Sequence, residues 1–291
     1  MHLGKTRRQI LQNNNPRYNC AQSKGNNMTA IRSLCSFRPS LFYTQYSVRP
    51  YIKAKVLTVA LCVLQLGLIV GAADITNFAA TDWSTRAYYW GNQNADKPTI
   101  SEDGLTLNLA KDVNHRAFVA WYNVKQKTGD FTVSFKINGN TGDGLLFVLQ
   151  RADNTSPTTA IGGAGGKLGM GAADGASGVK NAYGIQFRTS GLEQAFTDNS
   201  GNLTKSGWTS GLAGVLGNTL TITWNSDTHI LAIKGGSDAG FTKTYLYDLD
   251  AKLGDEFYFG FVASNGGDKG EATITEFSFS NVEHTTLVIV R

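Results

Sequence analysis

Beyond Ala73 the chain has no cysteine, because Cys20, Cys35 and Cys62 all precede it. The rest of the protein therefore has no disulfide framework, thiolate nucleophile or cysteine metal site. The first 73 residues in turn lack any Asp or Glu while carrying 10 of the 27 Lys and Arg. The leader is thus +10, while the body carries 17 basic against 22 acidic residues, a net of −5, and the two give the formal charge of +5. A mildly acidic body argues against nucleic acid as a partner, since duplex binding needs a basic face to displace counterions from phosphates. Convincing helical periodicity is missing as well, as are a repeat of fixed period and an internal linker, so one domain is expected after the leader.

Long apolar runs are scarce too. The one at Val56–Val70 has 15 residues, short of the roughly 20 that span a bilayer as a helix. Lys53 and Lys55 precede it and Gly71, Ala72 and Ala73 follow, which is the basic, apolar, small-residue order of a secretory signal peptide. Residues 53–73 thus read as a signal peptide cleaved after Ala72 or Ala73, with an uncleaved signal anchor as the alternative. The corresponding locations are secreted or lumenal in the endomembrane system, or membrane-anchored. Residues 1–52 form a leader expected to be disordered. Its Arg-bearing, acid-free composition also suits a mitochondrial transit peptide, and translation from Met28 is a further alternative. Thr285 to Arg291 is far too short for a tail anchor, so residues 283–291 read as a tail. Asn154-Thr155-Ser156 and Asn202-Leu203-Thr204 are acceptors for glycosylation in a secretory pathway.

From Asp74 the apolar period is two. Leu105, Leu107 and Leu109 alternate with Thr106 and Asn108, and Phe131, Val133, Phe135 and Ile137 alternate with polar residues. The pattern returns in Tyr183, Ile185 and Phe187, in Leu220, Ile222 and Trp224, and in Phe257, Phe259 and Phe261. These are half-buried antiparallel strands. Leu145–Leu149 is apolar throughout, as suits a central strand covered on both faces. Turn signals at Glu102-Asp103-Gly104, Asn138-Gly139-Asn140, Asn225-Ser226-Asp227, Gly235-Gly236-Ser237 and Asn265-Gly266-Gly267 separate the runs. The expected fold is an all-β, two-sheet antiparallel sandwich or jelly roll over residues 74–282.

Between Gly162 and Gly178 there are eight glycines. Glycine is favoured where backbone needs positive φ or where a ligand must touch main chain. A phosphate-binding loop lacks its Gly-Lys-Ser or Gly-Lys-Thr here, and a flexible surface loop remains an alternative.

Several segments together resemble the legume-type (L-type) lectin family, of concanavalin A-like fold, over nearly the whole body. Gly129-Asp130-Phe131-Thr132-Val133-Ser134-Phe135, then Gly142-Asp143-Gly144 and Leu145–Leu149, resemble the family's strand pair with its Ala-Asp-Gly turn. The glycine loop follows in order. Ala182–Thr189 resembles the strand written Val-Ala-Val-Glu-Phe-Asp-Thr, and Tyr245–Leu249, Phe259–Ser264 and Phe277–Ser280 resemble the closing strands. The resemblance implies a carbohydrate-binding protein with no catalysis, whose partners are glycans or glycoproteins and which pairs, in many relatives, as a homodimer through sheet packing. The implied sugar contacts are Asp143, a backbone N–H at Gly165 or Gly166, and Asn265, Gly266 and Gly267. A carboxylate accepting hydrogen bonds from two adjacent hydroxyls is sound chemistry on its own terms. The alternative for Asp143 is an Asp supporting a Gly turn.

One departure concerns the metal. Where the family has Glu and Asp flanking Phe, this chain has Gln186 and Arg188, and these cannot replace two carboxylates around calcium and manganese. No metal is expected there and no cofactor elsewhere. Arg188 is expected to substitute, its guanidinium orienting the Asp143 carboxylate bidentately, or else to be a solvated strand-end residue. Tyr88, Tyr89, Trp90 and Trp208 are candidates for stacking on a sugar ring or for the core. Two other functions stay open. A jelly-roll glycoside hydrolase needs two carboxylates roughly 5–9 Å apart, and Asp248 with Asp250, Glu193 with Asp198 and Asp255-Glu256 are poorly placed for that. The other is a structural or adhesive sandwich without a ligand. His115, His229 and His284 stand apart from any nucleophile motif and read as surface or edge residues.

Overall fold

The computed structural model describes residues 74–89, 92–93, 96–173, 175–189, 191–236 and 240–282. The leader, its cysteines and signal-like run, Trp90, Ser237, His284 and the tail from 283 lie outside the described residues.

Two antiparallel sheets face each other. The larger has ten strands, ordered β11 (Leu203–Lys205), β10 (Gly191–Thr197), β9 (Ala182–Arg188), β8 (Gly144–Arg151), β16 (Glu256–Asn265), β5 (Arg116–Tyr122), β1 (Trp83–Tyr89) and β2 (Asn92–Gln93), with β12 (Thr209–Ser210) beside β10 and β6 (Gln126–Lys127) beside β16. The smaller is ordered β15 (Thr242–Leu246), β14 (Ile230–Gly235), β13 (Thr219–Asn225), β7 (Asp130–Gly139), β17 (Ala272–Val282), β4 (Leu107–Ala110) and β3 (Thr99–Ile100). This is the expected two-sheet sandwich.

Alternation explains which residues meet in the middle. In β7 the side chains of Phe131, Val133, Phe135 and Ile137 are buried while Thr132, Ser134 and Lys136 take the other face. Leu220, Ile222 and Trp224 of β13 face inward likewise. Aromatic rings fill the centre, with Phe259 stacked on Phe279 at 4.2 Å and Phe135 edge-on to Phe261 at 5.0 Å. Such offset and edge-on pairs contribute beyond the area they bury. Strand β17 changes parity, since Ala272 and Ile274 face the core and so do Phe277 and Phe279. A bulge between Thr275 and Ser278, with Glu276 at φ 53°, absorbs the extra residue and keeps both pairs inside.

Strand β8, with its apolar run Leu145–Leu149, lies between β9 and β16, and that run is covered on both faces. Leu145, Phe147 and Leu149 join the inter-sheet core, whereas Leu146 and Val148 join a second apolar cluster with Trp121, Ile161, Leu168, Met170 and Val179. The glycine loop therefore lies across the outer face of the ten-stranded sheet. Trp121 Nε1 donates to the Ala160 carbonyl at 2.8 Å and ties the loop down. Gly184 makes room for it, since a Cβ there would lie 3.0 Å from Met170 Sδ.

Two details differ from the sequence expectation. Leu105 is exposed, because β4 begins only at Leu107. A single helical turn, α1 (Leu249–Leu253), follows β15, capped by Asp248, which accepts the Ala251 N–H at 2.8 Å. Leu249 and Leu253 anchor it in the core, and five residues are too few to register a helical period. Among the described residues no helix is long and apolar enough to cross a membrane.

Candidate functional site

Three segments meet at one rim of the sandwich. They are the turn between β7 and β8 (residues 140–143), the glycine loop between β8 and β9, and the turn after β16 that begins at Gly266. Asn265 holds them in register from a fully buried position. Its Oδ1 accepts the Gly142 N–H at 2.9 Å, and its Nδ2 donates to the carbonyls of Lys111, Val113 and Gly270 at 2.9, 3.0 and 2.9 Å. Ser264 Oγ donates to the Gly165 carbonyl at 3.1 Å, and the Asp143 N–H donates to the Ser264 carbonyl at 3.0 Å. Each link joins a strand end to a neighbouring loop, so the rim is fixed by the sheet beneath it.

The three segments come into contact at Gly266. A Cβ on this residue would lie 2.6 Å from Asp143 Oδ2 and 3.2 Å from Gly165 Cα, so only glycine permits the approach. Gly165 itself has φ 61°, a conformation that costs an L side chain energy. Gly166 and Gly267 are exposed, with open space where a Cβ would stand. Asp143 Oδ2 is buried and has no hydrogen-bond partner. Burial pushes the Asp143 carboxyl above the usual aspartate range, with Asp268 adding to the rise. The Arg188 guanidinium, the Gly266 N–H and Lys205 pull it partly back.

Gln186 and Arg188 project from one face of β9 toward this turn. Gln186 Nε2 donates to the Asp143 carbonyl at 2.6 Å, Arg188 Nε donates to the same carbonyl at 3.0 Å, and an Arg188 terminal nitrogen donates to the Gly142 carbonyl at 3.2 Å. This corrects the expectation that Arg188 grips the carboxylate. The carboxylate is turned toward Gly266, and the guanidinium holds the peptide groups behind it. Arg188 also lies 5.9 Å from the centre of the Trp208 ring, and the two border a hollow of about 400 Å³ shared with Thr141 and Asp268. A hollow of about 480 Å³ lies elsewhere, between Lys127, Arg151 and Glu256. There Lys125 and Lys127 pair with Glu256 and Arg151 with Asp153, which leaves less for a ligand than the rim does.

The structure thus brings Asp143, Gly165 and Gly266 together, with Gly166 and Gly267 flanking them and Arg188 behind. Asn265 is corrected from a ligand contact to a positioning residue, because its amide is buried and engaged inside the protein. Of the aromatic candidates, Tyr88 is core, Tyr89 is half-exposed under the Arg116 guanidinium, and Trp208 is half-exposed against Arg188. Sequence reading missed the positioning roles of Ser264 and Gln186, for which a hydroxyl or amide at a strand end carries no distinctive signal.

No protein-family model and no curated protein matches the chain. Solved structures do. Peanut lectin with a 9mer peptide is 21% identical, covering 74% of this chain and 98% of its own, with a TM-score of 0.52. Basic winged bean lectin with Tn-antigen is 16% identical over 72% of this chain and 97% of its own, with a TM-score of 0.54. Arcelin-5, a lectin-like defense protein from Phaseolus vulgaris, is 14% identical over 72% and 96%, with a TM-score of 0.53. The two-sheet sandwich is that of the legume-lectin fold.

Proposed function

We propose that this protein is a lectin-like carbohydrate binder that recognises glycans or glycoproteins reversibly, without catalysis and without a metal at the sugar site. The observation that carries this reading is the convergence of the Asp143 carboxylate on the Gly165 and Gly266 backbones at an open rim. The Asp143 carboxylate, half-buried as a whole, accepts from sugar hydroxyls, and loop N–H groups donate to them. Gln186 and Arg188 fix the turn through the Asp143 and Gly142 carbonyls, which is the office that cations between carboxylates would otherwise fill. Basic winged bean lectin, whose structure holds Tn-antigen, supports a glycan as ligand.

Lack of catalysis is supported by the covered outer face of the ten-stranded sheet. Among the described residues, apolar side chains and the glycine loop occupy it, where two carboxylates would otherwise have to flank a scissile bond. Asp248 and Asp250, one runner-up pair, sit at a helical turn instead of on a strand face. A glycan-array screen of the protein in EDTA and in calcium, with Asp143→Ala alongside, tests the proposal. Binding that persists in EDTA and disappears in Asp143→Ala is the expected result. No binding in either condition leaves the sandwich as a structural or adhesive module.

A further inference from the structure

At the end of the sandwich away from the rim, three side chains that are distant in sequence meet. His229 closes the turn between β13 and β14, and Asp248 and Asp250 follow β15, which pairs with β14 so that Ile230 lies opposite Leu246. The Tyr247 N–H donates to the His229 carbonyl at 3.0 Å, fixing the two segments side by side. His229 holds φ 53° and its ring packs 5.9 Å from the Trp224 ring. Its Nδ1 lies 3.6 Å from Asp248 Oδ1, and one ligand atom from each of His229, Asp248 and Asp250 lies within 4.8 Å of the others. His229 Nδ1 and Asp250 Oδ1 are both shielded from solvent, and neither has a hydrogen-bond partner.

Two carboxylates and an imidazole facing one point leave negative charge and nitrogen lone pair uncompensated. A proton on Nδ1 answers this only in part, since it would pair His229 with Asp248 at 3.6 Å, beyond hydrogen-bond length, and leave Asp250 Oδ1 without a donor. A cation among the three answers it for all of them. Ligands about 2.0–2.2 Å from zinc sit roughly 3–3.6 Å apart in a tetrahedron. Small rotations of side chains about half exposed, as His229 and Asp248 are, close the remaining gap. Asp248 keeps its capping bond to Ala251, because a carboxylate has lone pairs to spare. The mixed nitrogen and oxygen set favours zinc, cobalt or manganese over magnesium or calcium, which prefer oxygen alone.

We propose that His229, Asp248 and Asp250 form a binding site for a divalent transition-metal ion, which clasps the β13–β14 turn to helical turn α1. The site is independent of the glycan reading. Strand β7 separates the two, with Asp130 accepting from Asn225 and Ser226 at one end and Gly139 leading into the Asp143 turn at the other, a span of roughly 30 Å.

The test is calorimetric titration of the full chain with Zn²⁺, comparing the wild type with His229→Gln and Asp250→Asn. The expected result is one class of zinc site present in the wild type and in Asp143→Ala, and weakened about tenfold or more in each of the two ligand variants. Cobalt(II) absorption separates this nitrogen–oxygen site from any thiolate site at Cys20, Cys35 or Cys62. If either variant misfolds, the His229 ring resonances of the wild-type protein decide the matter, and they must shift on adding Zn²⁺. Equal zinc binding by wild type and folded variants, or unmoved His229 resonances, overturns the proposal.

Discussion

Gly266→Ala separates the proposed site from the stability of the fold. The new methyl would stand 2.6 Å from Asp143 Oδ2 and 3.2 Å from Gly165 Cα. The first contact falls on the end of a rotatable side chain, and the second asks a loop to yield a few tenths of an ångström. Turning the carboxylate away costs about 0.5–1.5 kcal/mol. Gly266 is not among the positive-φ residues, so alanine recovers about 0.4–1 kcal/mol from the unfolded state. The two nearly cancel, and Tm is expected to fall by no more than about 2–4 °C. Binding has no such offset. A hydrogen bond to a charged group is worth about 1.5–3 kcal/mol, so losing one of them weakens a glycan roughly tenfold to a hundredfold. Calorimetric titration with a glycan found on the array, beside a thermal melt, reads both quantities. Unchanged affinity in a folded Gly266→Ala protein would refute the role given to the Asp143 carboxylate. Loss of the fold would refute the claim that the clash lands on a movable side chain.

Other consequences can be measured independently. Ionised Asp143 is the stronger acceptor for hydroxyls, and burial raises its carboxyl above the usual aspartate range, so glycan affinity is expected to fall on acidification earlier than an exposed aspartate would make it fall; an affinity that does not change with acid contradicts the role given to this carboxylate. The same raised pKa means that ionised Asp143 costs the fold stability, a cost removed as pH drops, so through this group acid weakens binding without weakening the fold. Arg188→Ala frees the Gly142 and Asp143 carbonyls and is expected to lower glycan affinity about tenfold, with Arg188→Lys restoring little because an ammonium lacks the planar fork; full recovery by lysine would reduce Arg188 to its charge. Phe259→Ala, at a fully buried ring stacked on Phe279, is expected to cost about 3–5 kcal/mol in urea unfolding, and a loss under 1 kcal/mol would mean the core is not packed as described. Gly184→Val drives a side chain into Met170 and is expected to raise amide exchange in the glycine loop while β7 and β13 stay protected.

Much of the sandwich was legible because a buried face imposes a period of two. The runs at Phe131–Ile137 and Leu220–Trp224 could be read directly, and the apolar β8 announced its two covered faces. What could not be read were local exceptions to that period. The bulge at Glu276 shifts parity in mid-strand, and turn α1 is shorter than any helical repeat. The rim was legible only through family resemblance, since no spacing in the sequence brings Asp143, Gly165 and Gly266 into contact. For Arg188 the shared strand face with Gln186 was readable but the target was not, because a carbonyl and a carboxylate of one residue cannot be told apart from sequence. His229 and Asp248 were likewise separated until the pairing of β14 with β15 joined them.

The glycine loop folded over the ten-stranded sheet has a consequence for the size of what can be held. With that face covered by Met170, Leu168 and Val179, the ligand that fits the proposal is the tip or a branch of a glycan at Asp143, not a long polymer laid along the sheet. A single tip offers few contacts, so strong attachment to a cell surface or a decorated protein requires several copies engaging neighbouring tips together. On that proposal the protein would count ends, and its discrimination between surfaces would rest on how densely those ends are displayed.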